Sequence, residues 1–256
     1  MAAPFWLTAT PIAHRGLHDR ASGVIENTIS AARAAIEKGF AIECDVQLSS
    51  DGEVFVFHDD ALERLTNASG DFKIFSKTEI GSLSLKGTSD HIPTLSEFLD
   101  VIAGRVPLIC EIKSRFDGSI AAVQRVAEVI ASYEGPIALK SFDPIMVEAT
   151  AHHAPDRPRG FIGESVYDDP EWDFLSAEQK KRFRDAAVSR CNEARFSLVV
   201  YQRPRSSDAT TGAWIFGAAD YELDCSDRRP KNKSATLRRS NRLRRLSPLT
   251  SRVDQR

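Results

Sequence analysis

Two short segments place charged side chains in a register that an extended chain enforces. In Ile42-Glu-Cys-Asp-Val46, Glu43 and Asp45 lie two residues apart, so a strand points both carboxylates to one face. Ile42, Cys44 and Val46 then point to the other, apolar face. In Leu108-Ile-Cys-Glu-Ile-Lys113, Glu111 and Lys113 share a face against Leu108, Cys110 and Ile112. Buried parallel strands are ordinarily apolar on both sides. Three carboxylates and a lysine facing a barrel interior cost several kcal/mol if unpaired. A hard divalent cation with oxygen ligands neutralises such a group. The alternative is a buried lysine–carboxylate network that only holds the strands together.

Two histidines sit at the ends of apolar runs, His14 in His14-Arg15-Gly16 and His58 in His58-Asp59. Strand ends are where α/β barrels place catalytic groups, and two imidazoles suit a general acid and general base acting on one bond. Arg15 offers a bidentate fork for a phosphate, and Gly16 lets the backbone turn sharply behind it. Taken singly, each short motif is a weak signal, because a lone histidine is more often structural than catalytic.

The elements that must position these residues follow from periodicity. Pro11 to His14 reads as a short strand, and Thr28 to Lys38 as a helix with Ile29, Ala32 and Ile36 on one face. Phe40 to Val46 is a strand, and Glu53 to Phe57 is a second apolar run after the Ser50-Asp51-Gly52 turn. Residues 60 to 92 lack strong periodicity and read as an excursion from the main fold. Thr94 to Glu97 is a capping box ahead of a helix carrying Leu95, Phe98, Leu99 and Ile102. Val106 to Lys113 is a strand, and Ser119 opens a helix with Ile120, Val123, Ala127 and Ile130 on one side. Strands at Ile137 to Leu139 and Arg159 to Gly163 follow, then a charged helix from Ser176 to about Arg190. Alternating strands and helices at this spacing predict an α/β fold of parallel βα units, doubly wound or barrel.

Composition narrows the class. The chain has 256 residues, 42% of them apolar, and a net charge of −2. That length suits one (β/α)8 barrel of about 250 residues. No apolar run approaches the roughly 20 residues of a membrane span, and the start lacks the basic and apolar regions of a secretory signal. The four cysteines, Cys44, Cys110, Cys191 and Cys225, show no CxxC spacing. Two fall in expected strands, which predicts reduced, buried thiols and a cytoplasmic protein.

The ordered set of motifs is specific where its members are not. It comprises His14-Arg15-Gly16, Glu26-Asn27-Thr28, Glu43-Cys44-Asp45, Asp51-Gly52, His58-Asp59, Pro93-Thr94-Leu95, Glu111-Ile112-Lys113 and Ser141-Phe142-Asp143. With this set the chain resembles the glycerophosphodiester phosphodiesterase family, from about Ile12 to Tyr167. Residues 60 to 92 fall where that family carries a small insertion. The resemblance implies a TIM-type (β/α)8 barrel and a divalent metal, Ca²⁺ or Mg²⁺. It also implies hydrolysis of small glycerophosphodiesters to glycerol 3-phosphate and an alcohol. It places Glu43, Asp45 and Glu111 as metal ligands, and His14 and His58 as the acid/base pair. Arg15 and Lys113 become the phosphate-binding cations, with Glu26 and Asn27 shaping the site.

Competing chemistries fit less of the set. An aldolase or isomerase on this barrel wants a Schiff-base lysine or an enolising base and leaves two histidines and three acids unexplained. A phospholipase-like diesterase shares the chemistry and wants an exposed apolar rim. Polyanion binding through the C-terminal segment has only charge in its favour. Ser226 to Arg256 holds 11 basic and 2 acidic residues and no aromatic ones, a composition expected to be disordered. No nucleic-acid partner is expected from it.

The resemblance fails after about Phe196, where a Trp-Thr-Val strand and a closing apolar strand with a glycine are expected. The expected organisation is therefore a barrel over residues 1–195 and an aberrant segment over 196–256, with the last two strands missing or scrambled. The genetic code suggests why. Glu222 to Ser226 can be encoded GAG CTG GAC TGT TCG, and a shift of one nucleotide reads Ser-Trp-Thr-Val-Arg. Ser240 to Ser247 can likewise shift to Gln-Ile-Val-Phe-Glu-Gly-Phe. Both segments return in order and in one frame, which points to a frameshift between about residues 188 and 197. An open barrel edge then predicts poor folding and an impaired enzyme.

Overall fold

The computed structural model of the chain describes residues 4–7, 9–163, 167, 172–189, 196–200 and 215–216. Its centre is a sheet of six parallel strands: β1 (Ile12–Ala13), β2 (Ala41–Leu48), β4 (Leu108–Ile112), β5 (Ile137–Ser141), β6 (Arg159–Gly163) and β7 (Phe196–Val200). Helices α1 (Ile29–Glu37), α3 (Leu95–Ile102), α4 (Ala121–Ile130), α5 (Pro144–His153) and α6 (Ala177–Ser189) connect them in turn. The sheet runs β7-β6-β5-β4-β2-β1-β8, where β8 (Ile215–Phe216) lies antiparallel to β1. A (β/α)8 barrel would have a parallel strand there. Among the described residues β7 and β8 do not pair, so the sheet is an open α/β barrel.

Local sequence explains most element boundaries. Thr28 caps α1, its side chain accepting from the Ala31 N–H. Thr94 and Glu97 form a full capping box on α3, whose buried face is the expected Leu95, Phe98, Leu99 and Ile102. These helices pack on the outer face of the sheet, where Ile42, Cys44, Val46, Leu108, Cys110, Ile112, Ile137 and Leu139 form the core. Cys44 and Cys110 are free, buried and in register on neighbouring strands. Cys191 and Cys225 lie outside the described residues. The described helices include none long and apolar enough to cross a membrane.

Three features of the fold are not written in the periodicity. The apolar run Glu53 to Phe57 carries β3 (Val54–Val56), which folds back antiparallel on β2, with Gln47 opposite Phe55. Its turn is too short for anything but a hairpin, since a parallel return needs a crossover of a dozen residues or more. Helix α5 follows Ser141 although no amphipathic stripe announces it. Asp143 caps it and Pro144 opens it. The parallel ladder also includes β7, paired with β6 from Arg159 to Gly163. The reinterpreted segments at 222–226 and 240–247, and the basic stretch from Ser226, lie outside the described residues.

The 60–92 excursion has a small core of its own. Phe55 and Phe57 pack beneath it against Leu62, Leu65, Phe72, Ile80, Leu85 and Ile92. Phe57 and Phe72 stack with ring centroids 5.1 Å apart. A five-residue helix, α2 (Lys77–Gly81), closes it with the Ser76–Glu79 capping box. This packing fixes the excursion over the end of β2, beside His58.

Candidate active site

Register assembles the acidic cluster. Asp45 on β2 is opposite Glu111 on β4, which is opposite Lys140 on β5. Paired positions on parallel strands face the same way, so all three point to the inner side, and Glu43 joins them from two residues below Asp45. Beneath them Ile12, Ala41 and Ile109 form an apolar plug with Leu7. Barrel interiors are filled in such layers. Here an apolar layer floors a charged one. One oxygen each of Glu43, Asp45 and Glu111 lies within 4.8 Å of the other two, and the three residues are buried.

Ammonium groups balance this charge. Lys113 Nζ lies 2.8 Å from Asp45 Oδ1 and 2.6 Å from Glu111 Oε1. Lys140 Nζ lies 2.9 Å from Glu43 Oε1 and 3.2 Å from Glu111 Oε2. Burial alone would raise the Asp45 carboxyl. Lys113 outweighs it, with help from His58, Arg15 and His14, and holds Asp45 well below the usual carboxylate range. Glu111 is likewise held low by Lys113 and Lys140 against its burial. Lys113 in turn is raised, because Asp45 and Glu111 overcome the desolvation that would lower it.

A compact turn brings His14, Arg15, Glu26 and Asn27 to the same end. The Arg15 N–H donates to Glu43 Oε2 at 3.0 Å, and its guanidinium Nη1 donates to Glu26 Oε1 at 2.6 Å. Asn27 Nδ2 donates to Asp45 Oδ2 at 2.9 Å, while the Asp45 N–H donates to Asn27 Oδ1 at 3.3 Å. Arg15 and Asn27 both adopt left-handed backbone, φ 57° and 58°. Such strain in non-glycine residues concentrates at functional sites. The Asn27 N–H to Arg15 carbonyl bond, 2.9 Å, ties the two strained positions together. Gly16 has no freedom to vary, since a Cβ there would sit 2.8 Å from Ala31 Cβ at φ +79°. His14 Nε2 is 3.9 Å from Glu43 Oε2, and burial pushes its imidazole below the ordinary value despite Glu43.

His58 stands on the rim with its Nδ1 2.7 Å from Asp59 Oδ1. Gln47, inside the barrel, donates to the carbonyls of Phe57 and Asp59 and anchors this loop. Arg64 from the excursion then bridges Asp59 and Glu26 with four hydrogen bonds of 2.5–2.9 Å. One guanidinium thus links the partner of His58 to the partner of Arg15. Burial opposes ionisation of Glu26, but Arg64 and Arg15 lower it to about 2 from 4.5. A carboxyl depressed on folding stabilises fully above its unfolded value, and that contribution fades as pH falls through the folded one. Glu26 therefore contributes stability that disappears between about pH 4.5 and about pH 2. Arg64→Met is expected to lower the melting temperature at pH 7 and to flatten this acid limb. Thermal melts of both proteins from pH 7 to pH 2 check it, and equal limbs would count against the network.

All nine residues singled out in the sequence converge on this end of the sheet. Two participants were missed. Lys140 ends an apolar strand read as stopping at Leu139, and only its register with Glu111 reveals it. Arg64 lies in the excursion, where no local pattern marks it. Beyond Lys113, Ser114 Oγ donates to Asp143 Oδ2 at 2.6 Å and joins the ends of β4 and β5. Above that junction Phe116, Phe142, Trp172 and Phe174 form an aromatic group with centroids 5.4–6.2 Å apart, and Phe174 is 60% exposed.

The chain is similar in sequence and in fold to known proteins. A glycerophosphodiester phosphodiesterase of Caldanaerobacter subterraneus subsp. tengcongensis is 34% identical over 161 residues, 59% of this chain and 65% of its own length. A phosphodiesterase from Oleispira antarctica, solved with its product sn-glycerol-3-phosphate, superposes with a TM-score of 0.57 at 22% identity. That match covers 75% of this chain and 83% of the other. A glycerophosphodiester phosphodiesterase from Agrobacterium tumefaciens gives 0.53 at 22%, over 75% and 86%. The two structures bear on the fold. The pattern of the glycerophosphoryl diester phosphodiesterase family matches residues 14–203, most of the described sheet and its site, and the chain belongs to that family.

Proposed function

We propose that this chain hydrolyses glycerophosphodiesters to glycerol 3-phosphate and an alcohol, in the cytoplasm, with Ca²⁺ or Mg²⁺ as cofactor. The observation that carries the reading is the buried triad of Glu43, Asp45 and Glu111, flanked on one end of the sheet by Arg15, Lys113 and two histidines. Triad and metal are chemically matched, since one oxygen from each of three buried carboxylates lies within 4.8 Å of the others and hard cations prefer oxygen. Glu43, Asp45 and Glu111 would hold the ion. A bound divalent cation supplies Lewis-acid polarisation of a phosphoryl oxygen.

The chain's own groups do the rest. Arg15 and Lys113 bind the non-bridging phosphate oxygens and offset the charge that accumulates on phosphorus. Glu26 holds the Arg15 fork in place, and Asn27 holds Asp45. One imidazole takes the proton of the attacking water, or of a glycerol hydroxyl whose cyclic phosphate water then opens, and the other protonates the departing alkoxide. Asp59, by accepting from Nδ1–H of His58, leaves Nε2 as the atom that faces the substrate.

The aromatic group over β4 and β5 favours one second reading. A diester with an apolar alcohol, of the phospholipase-like kind, would rest that portion on Phe116 and Phe174. We also retain the proposal that the C-terminal segment is out of frame. The proposed break lies between about residues 188 and 197, and resequencing the gene across that stretch tests it.

The test is release of glycerol 3-phosphate from glycerophosphocholine, with and without Ca²⁺ or Mg²⁺. Metal-dependent release is the expected result. Preference for a lyso-phospholipid would select the second reading. Metal binding without turnover of either substrate would mark an impaired enzyme, and neither binding nor turnover would overturn the proposal.

A further inference from the structure

We propose that the Lys140 ammonium is a resident counter-ion of the carboxylate centre, which weakens divalent-cation binding and couples it to binding of the phosphate. This rests on the metal-centre reading above. Lys140 is the one basic residue of β5, a strand otherwise made of Ile137, Ala138, Leu139 and Ser141. Its side chain is 11% exposed. Its Nζ lies against Glu43 Oε1 and Glu111 Oε2, oxygens of two of the three candidate ligands. In register it stands opposite Glu111 on β4 and Gly160 on β6.

Charge makes the coupling. Three carboxylates with Lys113 and Lys140 sum to −1; Arg15, 3.5 Å from Asp45, leaves that sum unchanged because Glu26, 2.6 Å away, offsets its charge. A divalent cation turns the centre to +1, an unfavourable state in a buried site. A phosphodiester monoanion returns it to zero. Cation and phosphate are therefore each bound better in the presence of the other. With a neutral residue at position 140 the metal-free sum is −2, and the cation alone neutralises it. Geometry acts in the same direction, because the ammonium occupies oxygens that the ion needs. Displaced from them, its three N–H donors are available to a phosphate oxygen.

The experiment is calorimetric titration of the full chain with Ca²⁺, alone and with saturating glycerol 3-phosphate. Wild type is expected to bind Ca²⁺ more tightly when glycerol 3-phosphate is present. Lys140→Gln and Lys140→Met are expected to bind Ca²⁺ at least about tenfold tighter without it, given how strongly charges a few ångströms apart interact away from water. Their enhancement by glycerol 3-phosphate should fall below about twofold, while Lys140→Arg stays near wild type. The neutral variants should also melt earlier than wild type in EDTA, having lost the counter-ion. Lys140→Gln keeps volume and polarity, so a folding failure of Lys140→Met leaves the test intact. Unchanged or weaker Ca²⁺ binding by a folded neutral variant, with coupling intact, would overturn the proposal and spare the metal centre. Absence of Ca²⁺ and Mg²⁺ binding in wild type would instead remove the metal-centre reading, and this inference with it.

Discussion

Replacing Glu111 by Gln is expected to abolish metal-stimulated turnover, a loss of about 10³-fold or more, comparable to deleting a principal electrostatic stabiliser. Glu111 is the hub of the charged layer: one oxygen accepts from Lys113 at 2.6 Å and the other faces Lys140 at 3.2 Å. The amide keeps the shape and removes both the ligand charge and the counter-charge for two buried ammoniums. Metal-free stability should fall as well, by about 3 kcal/mol, the usual penalty when one partner of a buried pair is removed. Calorimetry with Ca²⁺ and a thermal melt in EDTA read the two effects separately. A variant that still binds Ca²⁺ at wild-type affinity would exclude Glu111 from the ligand set. Turnover that survived with metal binding lost would instead detach the metal from the chemistry.

The second large effect is expected at the histidines. His14→Ala and His58→Ala should each lower kcat by about 10²–10⁴-fold, the range for loss of a general acid or base. Both should leave Ca²⁺ affinity nearly unchanged, because neither ring is needed to hold the triad: Glu43 keeps its Arg15 N–H and its Lys140 contacts without His14. His58 acts on the centre through its charge beside Asp45. Single-turnover kinetics together with calorimetry separate the roles. Loss of metal binding in His14→Ala, with turnover restored at high Ca²⁺, would reassign that ring from proton transfer to ligation.

These two experiments probe different layers of one structure. The triad is built by strands, and its geometry depends on register among β2, β4 and β5. The histidines stand on loops, His14 braced by the Arg15–Asn27 turn and His58 by Gln47, Asp59 and Arg64. Arg64 connects the loop set from outside the barrel. Its removal would loosen both halves at once, the His58 side through Asp59 and the phosphate side through Glu26. Rigid first contacts supported by such outer bonds hold a site to the tolerances that catalysis requires.

What the chain's own text determined was whatever is written locally. Period-two alternation placed Glu43 with Asp45 and Glu111 with Lys113, because side-chain direction in a strand is fixed by parity alone. Capping at Thr28 and Thr94 is a contact within four residues, so those helix starts were readable. The glycine of His14-Arg15-Gly16 was readable because its turn admits no Cβ. What only the tertiary structure decided was partnership between distant segments. Lys140 has an unremarkable local setting, and its function comes from lying opposite Glu111, 29 positions earlier, once β4 and β5 align. Arg64 meets Glu26 across 38 positions through the packing of a small core under Phe55 and Phe57. Helix α5 carries no stripe because buried and exposed apolar residues, such as Met146 and Ile145, adjoin along it. The strand at 54–56 could have been parallel or antiparallel by composition, and the short turn before it made it antiparallel. Periodicity records which face a residue takes, whereas register and packing decide whom it meets there. Charge pairing in a buried centre depends on the second of these.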